Sequence, residues 1–133
     1  MKKIIYLILI EFFFCTGCEH LTKDEKSMSE LLVKLNISTD DEINKRQIII
    51  IPLEGCGKCI KQSLNEITND TNKIFILSCF SKKSAHMVVG DNVLMYPNVF
   101  VDERYFAVKS SLVTTKPIFY LFKGNKCIMK KKY

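Results

Sequence analysis

Apolar positions along this chain fall into two kinds of run, helical and strand-like, and their spacing predicts the elements. Met28, Leu31, Leu32 and Leu35 recur at i, i+3, i+4 and i+7, the single apolar face of a helix. Ser27-Met28-Ser29-Glu30 fits a capping box ahead of it, with Ser27 accepting from the backbone and Glu30 reaching back. That helix is expected to reach about Asn36, and the polar, turn-rich stretch from Ser38 to Arg46 reads as a connection. Gln47-Ile48-Ile49-Ile50-Ile51 then places four β-branched residues in a row, which suits a strand buried on both faces, and Pro52 ends it. Ile60, Leu64 and Ile67 return to helical spacing, with a stop near Asn69-Asp70, and Lys73 to Ser78 is a second buried-type strand. Strand, helix and strand in close succession form a βαβ unit, whose right-handed crossover makes the strands parallel.

Downstream, Ser81 to Val89 predicts a short helix closed by Gly90-Asp91-Asn92, and Val99-Phe100-Val101 a third strand. Ile118 to Phe122 and Cys127 to Met129 flank Lys123-Gly124-Asn125-Lys126, where Gly and Asn supply turn conformations, so the chain finishes in a hairpin. A parallel βαβ unit followed by an antiparallel hairpin gives an α/β fold, a mixed sheet with helices on its faces.

The N-terminus carries a different pattern. Met1-Lys2-Lys3 is a short basic start, and an apolar run from Ile4 to Phe14, broken by Glu11, follows it. A bilayer core needs about 20 residues of helix, so this run is too short to span; it has the form of a secretory signal. Cys15-Thr16-Gly17-Cys18 resembles the lipobox of bacterial lipoproteins, where a small residue precedes a cysteine that is acylated and becomes the new N-terminus. The resemblance implies a signal peptide over 1–17, lipidation of Cys18 and a membrane-anchored lipoprotein of the bacterial cell envelope, at the inner or outer membrane. The polar stretch from Glu19 to Lys26 would complete a tether over 18–26, leaving a domain over 27–133. An uncleaved N-terminal anchor is the alternative. Both place the domain outside the cytoplasm, where disulfides persist.

Composition narrows the classes further. The 133 residues suffice for one domain, and 47% hydrophobic against 26% charged residues is a packing, globular balance rather than a disordered one. The net charge of +6 comes from scattered lysines, which argues against a nucleic-acid partner. The informative count is six cysteines.

Cys56 and Cys59 stand directly after a buried strand and at the mouth of a helix. Free N–H groups and the positive end of the helix dipole there favour thiolate over thiol, and the thiolate is the species that attacks disulfides. Two intervening residues let Cys59 reach back to close a disulfide. Lys58 adds a nearby cation, which Glu54 opposes. A structural disulfide, or half of a zinc site, uses the same spacing. Cys79 and Cys127 read as small core residues, with a disulfide between them as a second option, and His86 as an exposed helix residue.

Cys56-Gly57-Lys58-Cys59, together with Pro117 ahead of an apolar strand and a Lys-Gly-Asn-Lys turn, resembles the thioredoxin-like family from about Arg46 to Tyr133. The resemblance implies a thioredoxin-like sheet, catalytic Cys56 and Cys59, a cis Pro117 beside them, and a Lys116 backbone that binds an extended substrate. It implies protein thiols and disulfides as partners and no cofactor. The departures are specific. Gly55 replaces an aromatic, Gly57-Lys58 lacks proline, Ile50 stands where thioredoxin has a buried acid, and no C-terminal helix pattern follows the hairpin. The expected activity is therefore thiol–disulfide exchange without efficient general reductase power. The alternative is a non-catalytic binding or scaffold module.

Overall fold

The computed structural model of the chain describes residues 22–38 and 45–133. The signal segment, Cys15, Cys18 and the start of the tether lie outside the described residues. In chain order the elements are α1 (Lys23–Lys34), β1 (Lys45–Pro52), α2 (Gly57–Asn65), β2 (Lys73–Ser78), α3 (Lys82–Val89), α4 (Asp91–Leu94), β3 (Val99–Asp102), α5 (Phe106–Lys109), β4 (Ile118–Lys123) and β5 (Lys126–Lys132). The five strands form one mixed sheet in the order β3-β2-β1-β4-β5. β1 pairs parallel with β2, bringing Ile49 beside Phe75, and antiparallel with β4, bringing Ile49 beside Phe119. β2 pairs parallel with β3, and β4 antiparallel with β5.

The isoleucine run explains why β1 is central. Successive side chains on a strand point to opposite faces. Ile48 and Ile50 therefore enter one core with Met28, Leu31, Ile76, Leu112, Tyr120 and Phe122, under α1 and α5. Ile49 and Ile51 enter a second core with Ile60, Phe75, Leu77, Cys79 and Ala85, under α2, α3 and α4. A strand walled by apolar layers on both faces has no room for polar alternation.

Several boundaries differ from the sequence expectation. The first helix begins earlier, at Lys23, and its capping box is Thr22 with Glu25, not Ser27 with Glu30. Both pairs have the right spacing. The Thr22 box prevails because the Glu25 carboxylate also accepts from the Cys127 backbone N–H across the hairpin (3.0 Å), a contact from far along the chain. Lys23 to Lys26 are consequently helix rather than tether. α1 ends at Lys34, and Asn36 sits in the left-handed region instead of extending it.

β1 starts at Lys45, inside the expected connection, because Lys45 and Arg46 pair with Lys123 and Phe122 of β4. α2 stops at Asn65, short of Asn69, although Ile67 still packs on the core from beyond its end. Gly90 closes α3 as expected but also opens α4, which the sequence reading missed. Lys130 to Lys132, read as a solvated end, are exposed as expected, and they belong to β5. No helix of the described residues is long and apolar enough to cross a membrane.

Candidate functional site

All three parallel strands finish at one edge of the sheet, where ligand-binding loops of open α/β sheets generally gather. The loops there are laced together by backbone hydrogen bonds. Leu53 N–H donates to the Ser78 carbonyl (2.9 Å), and Cys79 N–H to the Asp102 carbonyl (3.0 Å). The chain leaving β1 turns through Glu54 and Gly55 and enters α2 at Gly57, with Cys56 as the N-cap. Cys56 is extended there, its carbonyl accepts from Ile60 N–H (2.9 Å), and its sulfur accepts from Cys59 N–H (3.4 Å). A sulfur thus occupies the place where Ser or Asp usually satisfies the orphan donors of a helix start.

Cys56 and Cys59 are joined as a disulfide, with Cα atoms 5.3 Å apart. Both are half-buried, while Gly57 and Lys58 between them are exposed. The bond lies at the protein surface, at the positive end of α2.

The loop ahead of β4 reaches this pair through Thr115. Cys56 N–H donates to the Thr115 carbonyl (2.7 Å). Gly55 presses so closely on Thr115 that a Cβ at position 55 would overlap its carbonyl group. This explains a departure noted in the sequence: no aromatic fits at position 55 while the Thr115 backbone occupies that space. The loop ahead of Pro117 therefore meets the cysteine loop through Thr115.

The expected cis geometry is not. The Lys116–Pro117 bond is trans, as is every peptide bond among the described residues. Trans is the lower state for an X–Pro bond by about 0.5–1 kcal/mol unless the surroundings reward cis. Here Thr115 already supplies the contact to the cysteine loop. Pro117 is buried, its carbonyl accepts from Tyr133 N–H (3.1 Å), and Lys116 is exposed. Ile50, at the position of the family's buried acid, is fully enclosed in apolar side chains and transfers no proton.

Two aromatic residues complete the edge, and sequence reading assigned them nothing. Tyr105, just after β3, adopts a left-handed backbone (φ 54°), uncommon for a bulky side chain. Its hydroxyl is buried and faces the Glu54 carboxylate. Burial first, and then the Glu54 carboxylate, hold that phenol well above its ordinary range. Phe80, just after β2, meets Tyr105 edge-on with ring centroids 4.5 Å apart. The available signal for Phe80 was an apolar residue past the end of a strand and before a Ser81 cap; for Tyr105 there was none.

Cys79 and Cys127, the free cysteines among the described residues, do not join the disulfide or each other. Cys79 lies in the core on the Ile49 face, and Cys127 packs against the core on the Ile48 face, so the sheet separates them. Burial raises the pKa of both thiols. Cys79 donates to the Ser81 carbonyl (3.2 Å). His86 is exposed and pairs with Asp91. Among the described residues no group of three or more His, Cys, Asp or Glu side chains is placed to hold a metal. No protein-family model matches this chain, and no curated protein is significantly similar to it.

Proposed function

We propose that this chain is a thioredoxin-like thiol–disulfide exchange protein of the bacterial cell envelope, tethered to the membrane through lipid on Cys18 and acting on protein thiols and disulfides. The observation that carries the reading is a half-buried Cys56–Cys59 disulfide whose first sulfur caps a helix start at the carboxyl edge of a parallel sheet. At that place a Cys56 thiolate is favoured by the free N–H groups and the helix dipole.

With the pair oxidised, a substrate thiolate attacks the Cys56 sulfur. A bond forms between substrate and Cys56, and Cys59 departs as thiolate and takes a proton from solvent. A second substrate thiol, losing its proton to solvent, attacks the first substrate sulfur. This closes a substrate disulfide and releases Cys56. Two electrons pass from substrate to the pair, and the same steps reversed reduce a substrate. The departures of Gly55, Gly57-Lys58 and Ile50 set the efficiency of these steps, not their chemistry.

A second reading is a non-catalytic binding module in which the disulfide is structural. The enclosed Ile50 and the trans Lys116–Pro117 bond favour it. Cys59→Ser decides between them. Under exchange, the variant accumulates a mixed disulfide through Cys56 with envelope proteins, and Cys56 alkylates faster at neutral pH than a free peptide thiol. A reduced, accessible Cys56 that traps nothing and alkylates no faster selects the structural reading. The anchor has its own check: fatty-acid label depends on Cys18 and disappears in Cys18→Ala.

A further inference from the structure

We infer that Phe80 is a specificity-determining residue of the Cys56–Cys59 site, receiving an apolar side chain that flanks the reactive cysteine of an extended substrate segment. This deepens the exchange reading and rests on it. An exposed apolar side chain is by itself ordinary on a protein surface, and Met87 and Met95 are as exposed as Phe80. Phe80 differs from them in where it stands and how it is held.

Its ring is 71% exposed, yet it is braced edge-on by Tyr105. Tyr105 in turn is fixed by a left-handed backbone at the start of α5 and by the burial of its hydroxyl against Glu54, two residues before Cys56. Strained backbone of this kind persists where the surroundings over-determine it and tends to cluster at functional sites. The hydrogen bonds from Leu53 to Ser78 and from Cys79 to Asp102 join the exits of β1, β2 and β3. The disulfide loop, Phe80 and Tyr105 are thus parts of one edge. A ring held in place loses little freedom when a partner covers it, and aromatic residues are favoured anchors for that reason.

The occupant follows from this chemistry. The sulfur at Cys56 must be reached by a substrate sulfur, so the chain on either side of that substrate cysteine lies across the edge. An aliphatic or aromatic residue near the cysteine removes apolar surface from water against Phe80, whereas a small dithiol has no flanking side chain to place there. A charged residue there gains nothing from the ring.

The test measures the oxidised full-length protein against two dithiol peptides, one with Leu and one with Ser beside the reactive cysteine, and against dithiothreitol. For the wild type kcat/KM favours the Leu peptide over the Ser peptide by about ten-fold, the order of discrimination one apolar contact supplies. Phe80→Ala erases that ratio, Phe80→Leu restores most of it, and Met95→Ala leaves it as in the wild type. Equal ratios in wild type and Phe80→Ala overturn the inference while exchange itself stands. A wild type that oxidises neither the peptides nor dithiothreitol overturns the exchange reading, and this inference with it.

Discussion

The disulfide edge and the α1–hairpin seam are both built from polar groups on an apolar frame, yet they spend those groups differently. At the seam, Glu25, Asp24 and Lys130 are all paired. Glu25, 7% exposed, accepts from Thr22 N–H (2.9 Å) and Cys127 N–H (3.0 Å), and Asp24 takes Lys130 (2.9 Å). At the edge, a sulfur does the work of a capping oxygen, a phenol is buried against the Glu54 carboxylate, and a bulky residue is held left-handed. A saturated network fixes a structure. Local strain beside the Cys56–Cys59 disulfide is of the kind that clusters at functional sites, and the exchange reading rests on that difference.

The sharpest way to break this comparison is at Gly55. Gly55→Val drives a branched side chain into the Thr115 carbonyl group and separates the two loops of the edge. Overpacking of this severity lowers stability by about 3 kcal/mol, measured by chemical denaturation, and disulfide exchange falls with it. An unchanged denaturation midpoint shows that the loops are not locked together.

At the seam, Glu25→Ala strands the Cys127 N–H and removes a charged acceptor, for a loss of about 2 kcal/mol. The hydrogen bonds from the Cys127 and Thr22 backbones hold the Glu25 carboxyl below its ordinary 4.5. A lowered folded-state pKa contributes stability that is complete above the unfolded value and fades as pH drops through the folded one. Acidification below about 4.5 therefore weakens the wild type, and Glu25→Gln flattens that part of the stability–pH curve. A parallel curve for the variant assigns the acid sensitivity elsewhere. The neighbouring Lys130→Ala, which breaks a surface pair, costs less than about 1 kcal/mol and less still in high salt.

How much was legible beforehand varied with the range of the interaction. The isoleucine run announced a central strand because burial on both faces leaves a local mark, and the Gly124-Asn125 turn announced its hairpin. The cysteine pair was equally plain, since strand, Cys-x-x-Cys and helix are consecutive. The start of α1 was misread because two capping boxes lie five residues apart, and a hairpin a hundred residues downstream chooses between them. Pro117 was expected cis from a family pattern, whereas Thr115 makes the contact to the cysteine loop with the prolyl bond in its commoner state.

Sequence alone settled the α/β class, the parallel unit, the closing hairpin and the cysteines to watch, for these follow from periodicity and spacing between neighbours. Tertiary structure decided which cap opens α1, which faces Cys79 and Cys127 occupy, how Thr115 meets Cys56, and how Tyr105 meets Phe80. Those outcomes depend on close approach between segments far apart along the chain, and a one-dimensional pattern carries no record of such distances.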